Sequence, residues 1–306
     1  MPIWSTGSTH CSIILKCDIM RIAVFGNTYQ EQHLDKLLQL FERLSLRNAR
    51  VEMERSFYDY LCRMLPAPPK VNGIITGEDF NAAIALSIGG DGTFLRTAQR
   101  VGSKEIPVLG INTGHLGYLA DVKVDEMDAG LDNLFNGEFR VENRTMIEVT
   151  SPEIMIDCWP YALNEVAILK QDTASMINMK ASIDGAGLAD YRADGLIIST
   201  PTGSTGYNLS VGGPIVAPSA PVWVISPVAA HSLTMRPLVV SDDSVVSVTT
   251  LSRTSSYRVS LDGRSVTLPV NTTIVMKRAP FVTKVVQRLD HRFVDTLRSK
   301  LLWGAG

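Results

Sequence analysis

Hydrophobic positions along this chain fall into two textures. In the first, short unbroken apolar runs alternate with stretches of helical spacing. Arg21-Ile-Ala-Val-Phe25 and Ile84-Ala-Leu-Ser-Ile88 are runs of strand formers with little polar alternation, and a third covers Ile106–Ile111. Such runs suit strands buried on both faces. Leu34, Leu37, Leu38, Phe41 and Leu44 recur at helical intervals, which predicts a helix from about Gln30 to Leu46. Further helices are expected over Phe57–Leu65, Thr93–Val101 and Val124–Phe135, with a short strand near Val51. Pro66-Ala-Pro-Pro69 ends the second helix in a loop. This alternation predicts a parallel sheet covered on both faces.

The second texture begins at about Arg140, with many short β-type runs: Thr145–Thr150, Ala162–Leu169, Met176–Ile183, Leu196–Thr200, Val222–Ser226, Val245–Thr250, Tyr257–Leu261 and Thr273–Met276. Turns such as Asp184-Gly185 and Asp262-Gly263 separate several of them, the pattern of a β-rich domain. Phe293 to Trp303 is helical again, with Phe293, Leu297 and Leu301 on one face, and is expected to dock on the first domain. The predicted organisation is an α/β, Rossmann-like domain of residues 20–139 plus 277–306, and a β-rich, sandwich-like domain of residues 140–276. Residues 1–19 read as a poorly ordered extension without a functional role.

Composition narrows the class. The 306 residues are 45% apolar, enough for large buried cores. Lys plus Arg number 29 against 31 Asp plus Glu, and no basic block occurs, so nucleic acid is not an expected partner. No apolar run approaches membrane-spanning length. The four cysteines, at 11, 17, 62 and 158, show neither metal-ligand spacing nor a disulfide framework, which fits a reduced, cytoplasmic setting.

Candidate chemistry concentrates at glycine turns. Gly89-Gly90-Asp91-Gly92-Thr93 ends the Ile84–Ile88 strand and opens a helix, the usual ligand position in an open α/β sheet. Glycines let a phosphorylated ligand approach the backbone, whose N–H groups at a helix start meet negative charge. Taken alone the turn reads as a tight junction with Asp91 as N-cap. A second glycine loop, Asn112-Thr-Gly-His-Leu-Gly-Tyr-Leu-Ala-Asp121, follows the next strand, and Gly26-Asn27 ends the first. The β-rich part holds the densest cluster, with eight hydroxyl-bearing residues between Tyr191 and Ser210 and five glycines from Gly195 to Gly213. With Arg192, Asp194 and Tyr207 it suits recognition of a nucleotide's sugar and ring edges. Asn164-Glu165, by itself, reads as a solvated turn before a strand. The five histidines are scattered without i, i+4 pairs, so no histidine metal site is expected. There is no P-loop, no nucleophile elbow and no protein-kinase loop set.

Together, Gly89-Gly-Asp-Gly-Thr-Phe-Leu95, Gly110-Ile-Asn-Thr-Gly-His-Leu-Gly117, Asn164-Glu165 and Asp194-Gly-Leu-Ile-Ile-Ser-Thr-Pro-Thr-Gly-Ser-Thr-Gly-Tyr207 resemble the NAD kinases, ATP:NAD 2′-phosphotransferases. Ser210-Val-Gly-Gly-Pro214 and Arg236-Pro237 add to a match running from about Met20 to Trp303. The resemblance implies a two-domain fold with the dinucleotide bound between the domains, usually in a homodimer or homotetramer. It implies Asp91 as the base toward the ribose 2′-hydroxyl, with Gly89, Gly90, Gly92 and Thr93 along the phosphate path and Arg96 as a cationic contact. Asn164 and Glu165 would hold the adenosine part of NAD. Asp194 would face the nicotinamide end with Arg192 nearby, while Thr205, Gly206, Tyr207, Asn208, Leu209 and Ser210 wrap the dinucleotide. ATP would arrive with Mg²⁺ or another divalent cation, held mainly by the nucleotide. A ribose hydroxyl is far less acidic than a carboxylic acid, so Asp91 is expected to orient it and take its proton late.

Four positions depart from the family pattern. Gly206 and Val211 stand where alanine is usual, Ala230 replaces a common proline, and Arg264 follows Asp262-Gly263 where glutamine is frequent, so no contact is carried over to it. Two rival readings remain open from the residues: a lipid or sugar kinase sharing the glycine turn, and a sensor that binds NAD(H) without transferring phosphate.

Overall fold

The computed structural model describes residues 19–301 and 303, apart from 115–116, 121, 172–175 and 252–254. The expected N-terminal extension therefore lies outside the described residues except for its last member, as do His115 and Leu116 of the second glycine loop.

The chain begins with β1 (Arg21–Gly26), α1 (Leu34–Leu46), β2 (Arg50–Glu54), α2 (Arg55–Met64), β3 (Gly73–Ile75) and β4 (Ile84–Ile88). It continues with α3 (Asp91–Val101), β5 (Val108–Asn112), β6 (Val122–Lys123), α4 (Met127–Asn136) and β7 (Phe139–Arg144). The β-rich part follows: β8 (Ile147–Thr150), β9 (Tyr161–Ala162), β10 (Glu165–Lys170), β11 (Ile177–Ile183), β12 (Ala186–Ala193) and β13 (Gly195–Ser199). After the short helix α5 (Tyr207–Ser210) come β14 (Val222–Val228), β15 (Leu238–Ser241), β16 (Val246–Leu251), β17 (Ser256–Leu261), β18 (Arg264–Pro269) and β19 (Thr273–Arg278). Finally β20 (Thr283–Arg288) and α6 (Phe293–Leu301) return to the first part. The described residues divide into two units at Glu142/Asn143 and at Thr283/Lys284. The second break lies beyond the expected one because β19 pairs with β16 and β8, inside the β-rich unit.

In the first unit one sheet runs β3-β2-β1-β4-β5-β20-β7, with β6 beside β5. The pairings from β3 to β20 are parallel. Every residue of β4 and β5 is buried, as unbroken apolar runs require in the middle of such a sheet. The strand order reverses between β1 and β4, making their carboxyl ends a topological switch point, where open α/β sheets bind ligands. The two ends are joined there: the Asn27 N–H donates to the Ile88 carbonyl at 3.0 Å. On one core, α1, α2 and α4 pack Leu37, Leu40, Leu44, Phe57, Leu61 and Leu131 against the sheet. Lys36 and Arg43 of α1 and Arg47 just after it pair with Asp125, Asp128 and Asp132 on and before α4. α3 buries Phe94, Ala98 and Val101 over the strands it follows.

The second unit is two antiparallel six-stranded sheets, β15-β14-β13-β10-β17-β18 and β12-β11-β16-β19-β8-β9. Inward residues of both, among them Ile168, Leu196, Trp223, Met179, Val248 and Ile274, share one apolar core. β11, β16 and β17 show the alternation of one-face burial. The fold is thus the expected pair: a parallel-sheet α/β part and an antiparallel β-rich part.

Phe94 fixes where α3 sits, since its side chain is fully buried. Phe94→Ala should lower unfolding free energy by about 3–5 kcal/mol, measured by denaturant unfolding.

Candidate active site

In the first unit, Gly89 leaves β4 with φ +148, a conformation that favours glycine, and a Cβ there would lie 2.9 Å from Thr93 Cβ. α3 starts at Asp91, earlier than the predicted Thr93, and the N-cap is Gly90, without a side-chain cap bond. Asp91 is therefore not the cap. Its carboxylate turns to the second glycine loop instead: the Tyr118 N–H donates to Oδ2 at 2.7 Å and the Leu119 N–H to Oδ1 at 3.0 Å. Gly117 lies so close that a Cβ on it would run into the Asp91 carboxylate. That loop starts with the Gly114 N–H on Asn112 Oδ1 at 2.9 Å. Gly90 and Gly92 face open space. Burial, and then the Asp91 charge, push the Tyr118 phenol up.

Arg96 is exposed one turn along α3, its guanidinium 3.4 Å from Thr93 Oγ1. Thr93 is only 4% exposed and supports the turn from within.

In the second unit, β10 and β13 run antiparallel with Glu165 opposite Ser199 and Leu169 opposite Gly195. This register sets Asn164-Glu165 at one end of the pair and Asp194 at the other, roughly 15 Å apart at strand rise. At the first end the Thr200 N–H donates to the Asn164 carbonyl at 2.9 Å and the Thr200 hydroxyl to the Leu163 carbonyl at 2.6 Å. The Tyr207 N–H donates to the Glu165 carboxylate, and Gly206 faces it, a Cβ there falling 3.1 Å from Glu165 Oε2. Glu165 Oε2 and Asn164 Oδ1 are buried without a hydrogen-bond partner. Burial first, and the Asp262 charge second, push the Glu165 carboxyl up to about 7, against the Tyr207 N–H, which favours the charged form.

Around them Thr205 is half-buried, and Gly206, Tyr207 and Ser210 are exposed. The Ser210 hydroxyl donates to the Tyr207 carbonyl at 2.8 Å. Leu209 is half-buried. Asn208 is committed within the loop. It is fully buried, its amide donating to the Ser204 and Pro214 carbonyls at 3.1 and 3.0 Å and accepting from the Ser226 hydroxyl at 2.7 Å. Its polar atoms are occupied in holding the loop.

At the other end Asp194 pairs with Lys170 at 2.7 Å, both partly exposed, and Arg192 is exposed on β12. Sequence reasoning missed Lys170, and it missed Asp262, whose carboxylate accepts from the Leu163, Asn164 and Glu165 N–H groups. Both contacts depend on long-range register, and no local signal marks them.

Comparison with known proteins gives the family. Residues 22–139 match the family of ATP-NAD kinase N-terminal domains and residues 163–288 that of ATP-NAD kinase C-terminal domains. The chain belongs to the NAD kinase family. The NAD kinase of Bacteroides fragilis (strain ATCC 25285) is 45% identical over 94% of this chain and 99% of its own. That of Porphyromonas gingivalis (strain W83) is 42% identical over 93% and 98%. An NAD kinase from Archaeoglobus fulgidus in complex with ATP aligns with TM-score 0.71 and 26% identity, covering 92% of this chain and 99% of that one. Yeast NADH kinase complexed with NADH shares the fold, with TM-score 0.84 and 22% identity over 95% and 90%. Membership makes the chain an enzyme, a phosphotransferase, and the lipid-kinase, sugar-kinase and sensor readings gain no support.

Two outcomes follow from these contacts. Gly117→Ala should displace the loop from Asp91 and lower turnover about 10²-fold, the cost of roughly 1 Å of misplacement at a reacting group, with the melting temperature little changed. Turnover within threefold of wild type would separate this loop from the chemistry. For Glu165, the folded state holds the proton between the ordinary value of 4.5 and about 7, so it binds more protons than the unfolded chain there. Stability contributed by this group is present at low pH and declines, on the order of 2–3 kcal/mol, as pH rises through that window. Denaturant unfolding at pH 5 and pH 8 should show that part of the decline in wild type and its loss in Glu165→Gln.

Proposed function

We propose that this chain transfers the γ-phosphate of ATP to the 2′-hydroxyl of the adenosine ribose of NAD, giving NADP. The observation that carries the reading is the Asp91 carboxylate, fixed by two backbone N–H groups at the start of α3 beside two open glycines. Each oxygen accepts one N–H and keeps a lone pair for a substrate hydroxyl. Asp91 orients the 2′-hydroxyl and takes its proton as the new O–P bond forms and the γ-phosphorus parts from the bridging oxygen, releasing ADP, since a loose phosphoryl-transfer transition state leaves most of the barrier to positioning and charge stabilisation. Gly89, Gly90 and Gly92 give the phosphates access to the backbone, and Arg96 offers a cation.

The unpartnered Asn164 Oδ1 and Glu165 Oε2 accept from hydroxyl or amino groups of the adenosine, and Tyr207, 38% exposed, lies against a ring. Asp194 with Arg192 meets the nicotinamide end. The separation of the two ends of the β10–β13 pair supports a ligand as long as a dinucleotide. Mg²⁺ or another divalent ion arriving with ATP would supply charge neutralisation for the phosphates. On this reading the ion is carried mainly by the nucleotide's phosphates; among the described residues no group of three His, Cys, Asp or Glu could hold a metal. A homodimer or homotetramer in the cytoplasm completes the proposal. Free Cys62 and Cys158 fit a reduced compartment, and among the described residues no helix is long and apolar enough to cross a membrane.

Purified protein incubated with NAD, ATP and Mg²⁺ should form NADP, assayed with an NADP-specific dehydrogenase. No NADP above the blank lacking protein would overturn the reading.

A further inference from the structure

We propose that Asp262, braced by Arg264, is the positioning residue for the Asn164–Glu165 pair, an inference that rests on the reading of that pair as part of the NAD site. Asp262-Gly263 is the turn between β17 and β18, with φ +48 and +84, the two-residue hairpin for which Asp-Gly is suited. An aspartate in such a turn ordinarily points to water. Here its side chain is 5% exposed.

Register explains why. Val166 of β10 pairs with Leu261 of β17, so the hairpin end falls beside the residues preceding β10. Asp262 Oδ2 accepts the Leu163 N–H at 2.7 Å, and Oδ1 accepts the Asn164 N–H at 2.8 Å and the Glu165 N–H at 3.1 Å. Three consecutive N–H groups thus form a concave anion site around a carboxylate of the protein itself. Thr200 holds the Leu163 and Asn164 carbonyls from the other side. The segment's backbone is therefore occupied within the protein. Its acceptors left without partners are Asn164 Oδ1 and Glu165 Oε2, and Asp262 fixes where they stand.

Arg264 ties the approach to this turn. Its Nη2 donates to the Tyr161 carbonyl at 2.6 Å and lies 3.8 Å from Asp262 Oδ2, and its Nε donates to the Leu261 carbonyl at 3.0 Å. The guanidinium sits 4.9 Å from the Trp159 ring centroid. One side chain so connects the strand entering the Asn164–Glu165 turn to the hairpin that holds it.

Steady-state kinetics of wild type, Asp262→Asn and Arg264→Gln, with melting curves for each, tests the assignment. Asp262→Asn keeps the size but loses the charge and one acceptor oxygen. KM for NAD should rise about tenfold, with KM for ATP and kcat per folded enzyme within about twofold, the signature of lost ground-state binding. Arg264→Gln should move KM for NAD the same way, by about threefold, and decides the matter if Asp262→Asn does not fold. An unchanged KM for NAD beside a lowered melting temperature would make the pair a hairpin brace only and overturn the proposal. If wild type forms no NADP, the activity reading fails separately. Calorimetric titration of NAD into wild type and Arg264→Gln then still reads positioning, with equal affinities overturning it.

Discussion

Two backbone N–H groups donating into the Asp91 carboxylate are the constraint on which the first unit's chemistry depends. They tie the loop after β5 to the start of α3, which itself follows β4. A carboxylate free in water would sample many rotamers. This one is held from two directions, and a glycine at 117 lets the loop come close enough to hold it. The sheet supplies the frame, because its strand order reverses between β1 and β4 and leaves their ends open to a ligand. What the arrangement gives Asp91 is a fixed position.

The second unit repeats the device with a different outcome. Asp262 is another carboxylate surrounded by backbone N–H groups, but it is buried. Burial pushes it up, while the three N–H groups and Arg264 favour its charged form. Its negative charge also raises the neighbouring Glu165. On the proposed reading, the held carboxylate of one unit faces substrate, and that of the other holds the residues that do. Both depend on hydrogen bonds to backbone, which side-chain substitution elsewhere does not easily disturb.

Much of this was legible in the residues. The unbroken runs of β1, β4 and β5 announce strands covered on both faces, and the spacing of Leu37, Phe41 and Leu44 announces α1. Other elements were hidden. β12 reads Ala-Gly-Leu-Ala-Asp-Tyr-Arg-Ala, poor in strand formers, and is a strand because β11 pairs with it. β15 and β18, at the edges of their sheet, carry too little apolar alternation to stand out. At the site, Asp91 and the Asn164–Glu165 pair were found through resemblance to the family. The burial of Asn208 and Thr93 is not legible locally, because a dense polar loop must also bond to itself. Asp262 was passed over because Asp-Gly between two strands looks like an ordinary hairpin, and only the β10–β17 register reveals what its carboxylate meets.

The central claim is that Asp91 orients the acceptor hydroxyl and takes its proton. Single-turnover phosphoryl transfer by Asp91→Asn, with NAD and ATP both saturating, tests it most directly. The expected result is a rate lower than wild type by about 10²–10⁴-fold, the range for loss of a general base. A rate within threefold of wild type would contradict the account.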